Sequence, residues 1–115
     1  MQRRLIYIEP TSITRVEAER VFRAADTMAI CHALVGVTFH DPDRQWVEEW
    51  CLTFCESPDP ELRQLAATCL GHLARIHRSL DLERVLPVLR RLSADPLVSG
   101  SVDTAMDDIE QFLGL

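Results

Sequence analysis

Apolar residues recur along this chain at spacings of three and four, broken at intervals by short stretches containing Asp, Pro and Ser. That pattern predicts amphipathic helices separated by turns. The clearest helix begins at Pro60, where Leu62, Leu65, Ala66, Cys69, Leu70 and Leu73 form one stripe. Small Ala67 and Gly71 lie on the other side, where a further helix can approach. Asp59 offers a capping carboxylate, and Pro60 suits the first helical position, whose N–H is unpaired in any case. Upstream, Thr14 and Glu17 make a capping box that opens a helix to about Ala25, with Val16, Val21 and Phe22 among its apolar residues. Asp26 or Thr27 caps a second helix that runs to about Phe39, with Ile30, Leu34 and Val37 inward, before Asp41 and Pro42 break the chain. A third, about Asp43–Cys55, places Trp46, Val47, Trp50, Cys51 and Phe54 on one face. The fourth extends to about Arg78, the fifth from Asp81 to near Ala94, and the sixth from about Leu97 to Leu113. Gly100 weakens the first turn of the sixth, and Gly114 follows its end. Trp46, Trp50, Leu65, Leu70, Leu86, Leu89 and Ile109 are expected to be largely buried. Arg3–Glu9 stands apart, its Leu5–Ile8 core reading as a short strand or as an arm over the open end of the assembly.

The turn-and-helix unit returns 36 residues later: Ser57, Asp59 and Pro60 match Ser93, Asp95 and Pro96, while Cys69, Leu70 and Leu73 match Ala105, Met106 and Ile109. A turn of this kind opening an Ala- and Leu-rich helix resembles the second helix of a HEAT-like repeat. Pro87, inside the fifth helix, deletes one backbone hydrogen bond and kinks it, as first helices of that family often do. The later copy departs at Ser99, where the family often carries the Arg present here as Arg63. The resemblance spans roughly Asp43 to Leu113. It implies an all-α, right-handed stack of about three antiparallel helix pairs (14–39, 43–78 and 82–113), forming a single domain over 1–115 with a short extended N-terminal arm.

Composition narrows the class of function. The net charge of −6 opposes general nucleic-acid binding, which needs a basic surface. The charge is also segregated. Asp41, Asp43, Glu48, Glu49, Glu56, Asp59 and Glu61 face only Arg44 in the stretch 41–61, and Asp95, Asp103, Asp107, Asp108 and Glu110 face no base in 95–115. The intervening stretch carries Arg63, Arg75, Arg78, Arg84, Arg90 and Arg91 against Asp81 and Glu83. All 12 bases are Arg, which with the lack of Asn hints at a GC-rich bacterial genome. No apolar run approaches the ~20 residues of a membrane span. Met1–Pro10 lacks the apolar length of a secretion signal, so a cytoplasmic location is expected. The 4 cysteines fall in apolar helical segments and read as reduced core residues, with no native disulfide.

Candidate chemistry is sparse. Cys69, His72 and His77 share a helix, and Cys51 and Cys55 on the preceding one could complete a four-ligand zinc site, but the spacing matches no zinc module and no metal is expected. His77 reads as a helix-end residue. A Cys–His hydrolase needs an exposed thiol beside a base, whereas these thiols lie on core faces. Glu48-Glu49 and Asp107-Asp108 are adjacent in sequence, so on a helix each pair diverges by about 100° and forms no carboxylate dyad. No cofactor and no catalysis are expected. Arg75 and Arg78 read as ion-paired surface or inter-repeat residues.

A small, acidic, single-domain chain of this type resembles several immunity proteins of bacterial contact-dependent and polymorphic toxin systems. That resemblance implies a protein partner, frequently a basic nuclease, neutralised by occlusion of its cleft. The acidic residues expected to bind such a partner are Glu48, Glu49, Asp103, Asp107, Asp108 and Glu110, on the outer faces of the third and sixth helices. The chain is expected to be a monomer or weak homodimer that contacts neither nucleic acid nor membrane directly. The alternative is a non-catalytic HEAT-like scaffold or adaptor in a larger bacterial complex.

Overall fold

The computed structural model describes residues 10–24 and 26–115. Arg3–Glu9, expected as a strand or arm, lies outside the described residues. Six α-helices and no strand occur among the described residues: α1 (Arg15–Ala24), α2 (Thr27–His40), α3 (Arg44–Phe54), α4 (Pro60–His77), α5 (Leu82–Leu92) and α6 (Ser99–Leu113).

Each start has a local cause. Thr14 and Glu17 exchange the capping-box bonds, Thr14 N–H to Glu17 Oε1 and Glu17 N–H to Thr14 Oγ1, both at 3.2 Å. Asp26 accepts from the Ala29 N–H (2.9 Å), Asp43 from Trp46 (3.2 Å) and Asp59 from Glu61 (2.9 Å). Asp95 repeats the role of Asp59, its carboxylate accepting from Leu97 N–H and its carbonyl from Val98 and Ser99. Regular α6 begins two residues after the expected Leu97, because the Asp95 turn occupies Pro96–Val98. Asp81, before α5, makes no side-chain cap.

The helices form two layers, in keeping with overall dimensions of 39 × 34 × 21 Å, about two helix diameters in the shortest direction. Central α4 packs against α2 and α3 and most extensively against α6. The α4–α6 approach is close because Gly71 faces it: a Cβ there would stand 3.0 Å from Ala105 Cα and 3.0 Å from Asp108 Oδ2. In the other layer, α1 meets α3 through aromatic rings. Phe22 lies 4.7 Å from Trp50 and 5.2 Å from Phe54, centroid to centroid. The segment before α1 crosses α2 at Gly36, and the Pro10 carbonyl pairs with His40 Nε2 at 3.0 Å.

Leu70, Leu89 and Ile109 are fully buried. Trp46, Trp50, Leu65 and Leu86 are only half-buried, unlike the expectation. Trp46 and Trp50 lie where the short α1 covers α3 incompletely, and guanidiniums close the gap: Arg15 sits 4.5 Å above Trp46 and Arg23 5.9 Å from Trp50. Leu86 looks onto a shallow depression of α5 lined by Leu82, Glu83, Pro87 and Arg90. Val16, expected among the apolar residues of α1, is 68 % exposed on its outer side.

Candidate functional site

The expected acidic contact residues separate into four groups. Glu48 is a correction. It is 2 % exposed and unavailable to a partner. Its Oε1 accepts from Arg44 Nη1 at 2.7 Å and from the Asp81 backbone N–H at 3.0 Å. A carboxylate from α3 thereby caps α5, whose own N-cap side chain does not. The helical wheel put Glu48 off the aromatic face but could not show that the α4–α5 turn closes over that side.

Glu49 is exposed and forms an ion pair with Arg84 of α5. Arg84 in turn holds the Glu49 carboxyl below its ordinary range. Glu56 pairs with Arg91 one turn region further along. Around the start of α3, Arg15 bridges Asp41 and Asp43 at 3.3 and 2.7 Å, and lowers the Asp43 carboxyl by hydrogen bonding. The acidic stretch 41–61 is thus largely compensated in space by arginines distant in sequence. A cleft of about 290 Å³ between α3 and α5 is lined by Asp43, Arg44, Gln45, Trp46, Glu48, Glu49, Asp81 and Arg84, with Arg44 paired to Glu48 and Arg84 to Glu49.

Asp103, Asp107 and Glu110 form the third group. All are exposed on the face of α6 opposite its buried Val102, Ala105 and Ile109. Among the described residues they make no ion pair or side-chain hydrogen bond. Asp108 turns away from them, half-buried beside Gly71 and close enough to His72 to favour its charged form. Of the six expected residues, α6 therefore brings three into one uncompensated strip.

The thiol and histidine positions do not converge on a ligand set. Cys31, Cys51, Cys55 and Cys69 are free and buried. Cys51 and Cys69 lie together beside Thr38. The hydrogen bond to Cys69 keeps the Cys51 proton in place and pushes that thiol well above its ordinary range. Burial pushes Cys31 up to about 11 and Cys55 up to about 12. His72 points elsewhere, its ring 5.0 Å from Phe39 on the outer face of α2 and α4. Burial, reinforced by Arg75, lowers its proton affinity. His77 closes α4 as expected, although its Nε2 is enclosed with no hydrogen-bond partner among the described residues. Among the described residues no group of three His, Cys, Asp or Glu could hold a metal ion. No described helix is long and apolar enough to cross a membrane.

Of the two expectations for Arg75 and Arg78, ion pairs or contacts between helix pairs, the described residues show the second and no ion pair. Arg75 rests on Phe39 of α2 and Arg78 on Phe112 of α6; the aromatic partners themselves had no signal in a single-helix pattern.

No protein-family model matches the chain, and no curated protein matches it significantly. Among solved structures, it is similar to a chain of a crystal structure described as a CDI complex from Cupriavidus taiwanensis LMG 19424. The TM-score is 0.85 and the identity 29 %, over 95 % of this chain and 98 % of that one.

Proposed function

We propose that this chain is the immunity component of a contact-dependent growth-inhibition pair, which binds its cognate toxin and neutralises it by occlusion. The observation that carries the reading is the likeness over nearly the whole of both chains to a member of a CDI complex. Such a pair contains an attacking and a blocking chain. The net charge of −6, the burial of every thiol and the uncompensated acidic strip on α6 favour the blocking role. We read the three helix pairs as HEAT-like and non-catalytic, working in the bacterial cytoplasm.

The proposed toxin is a basic nuclease. Asp103, Asp107 and Glu110 stand in for phosphates and meet its cationic cleft or rim, with Glu49 contributing where Arg84 releases it. Co-expression with the product of the immediately upstream gene should restore growth, and loss of rescue would refute the reading. Within the complex, Asp103→Asn, Asp107→Asn and Glu110→Gln together should slow association and flatten its salt dependence, while folding stays almost intact because exposed charges contribute little to stability. An unchanged salt slope in a tight complex would refute the acidic-mimic mechanism alone.

A further inference from the structure

The central helix α4 ends in two arginines that lean to opposite neighbours. Arg75 lies 5.9 Å from the Phe39 ring centroid of α2 and donates through Nη2 to His72 Nδ1 at 3.0 Å. Arg78 lies 4.9 Å from the ring of Phe112 on α6. Both guanidiniums are exposed, and Ile76 between them is a 38 % exposed aliphatic side chain. Asp108, beside His72, is the nearby carboxylate, and it forms no ion pair with either arginine.

The C-terminal dipole of α4 stabilises both cations in the free protein, so no internal carboxylate is needed, and apart from the Arg75 bond to His72 their N–H donors remain available. The rings beneath them restrict side-chain freedom, which reduces the entropy lost on docking. Arg is also among the residue types enriched at binding hot spots. Arg78 holds a left-handed backbone with φ 56, at a helix end where glycine is the easier choice. Phe112 lies about 140° around α6 from Asp107, so this edge is distinct from the acidic strip.

We propose that the edge formed by Phe39, His72, Arg75, Arg78 and Phe112 is a second docking surface, which receives an acidic segment of the protein partner. Two cations held by the chain and matched by two carboxylates of the partner would fix orientation where the acidic strip supplies attraction. The inference rests on the reading that the chain has a tight protein partner.

The test is Arg75→Ala with Arg78→Gly, the glycine relieving the left-handed backbone so that the thermal midpoint should not fall. One probe is fluorescein-labelled hexaglutamate at low ionic strength, read by fluorescence polarisation; the other is the toxin domain encoded immediately upstream. The double variant should weaken binding of each at least tenfold, and the Asp103→Asn, Asp107→Asn, Glu110→Gln variant should not weaken the peptide. Equal binding by the double variant, or no wild-type binding to either probe, would overturn the proposal. Tighter binding of a single-stranded RNA hexamer through the same arginines would also overturn it. A toxin domain held tightly and equally by both forms would remove the edge and leave the immunity reading. Peptide binding without any domain binding would remove the immunity reading and leave the edge.

Discussion

Replacing Glu48 by alanine separates a structural carboxylate from a partner-binding one. The side chain is 3 % exposed and accepts two bonds through Oε1, from Arg44 at 2.7 Å and from the Asp81 N–H at 3.0 Å. Hydrogen bonds to a charged group contribute about 1.5–3 kcal/mol each. The N-terminal dipole of α5 adds roughly 0.3–1 kcal/mol. Severing a fully buried pair costs about 3–5 kcal/mol, but Arg44 keeps 16 % exposure and can recover some hydration. Glu48→Ala should therefore lose about 2–4 kcal/mol, as these terms do not add fully. Glu48→Gln keeps the shape and an acceptor for Asp81, and should lose about half as much. Urea unfolding followed by far-ultraviolet circular dichroism would read both as shifts of midpoint at constant slope. An Arg44→Ala, Glu48→Ala cycle should give a coupling of about 1–2 kcal/mol. A change below about 0.5 kcal/mol for Glu48→Ala, the range of ordinary surface substitutions, would refute the capping role.

A methyl group at Gly36 would stand 2.5 Å from the Thr11 carbonyl oxygen and 3.1 Å from Ile13 Cγ2. Gly36→Ala should therefore lose at least about 1 kcal/mol despite alanine's better helix propensity, and a raised thermal midpoint would show that the 10–13 segment does not pack there. Acid should destabilise the fold through groups whose folded pKa is lowered: Asp43 by Arg15, Asp59 by the Thr27 hydroxyl, Glu49 by Arg84 and Glu17 by the Thr14 N–H. Their contribution is complete above the ordinary carboxylate range and declines as pH falls through the lowered values. Thr27→Val should flatten that decline, and an unchanged pH slope of the urea midpoint would refute the link.

The helices were legible because their causes are local. Asp26, Asp43 and Asp59 each cap the helix that follows, and Thr14 with Glu17 closes a box within four residues. The small side of α4 was equally plain, as Gly71 does receive α6 and Ala67, one turn earlier, is fully buried. What the pattern could not supply was the environment beyond each helix. Trp46 and Trp50 sit on the apolar stripe of α3, yet the length of α1 and the reach of Arg15 and Arg23 decide how far they are covered. Glu48 and Glu49 are neighbours in sequence; one is enclosed by the turn before α5 and the other stays on the surface.

Charge was the least legible property, since a count along the chain treats every acid as available. In space the outcome depends on whether a further helix follows. Glu49 of α3 and Glu56 just beyond its end meet Arg84 and Arg91 of α5, each 35 residues on. Asp59 receives Thr27 from the preceding pair, and Asp95 receives Arg63 at 2.9 Å, each across 32 residues. At α6 neither series has a counterpart among the described residues. Ser99 stands 36 residues after Arg63, at the position of the clamping Arg, and no Arg among the described residues pairs with Asp103, Asp107 or Glu110. Among the described residues their charge is uncompensated. Among the described residues the outer face of α6 keeps its carboxylates unpaired, whereas the acidic stretch 41–61, richer in sequence, is largely paired.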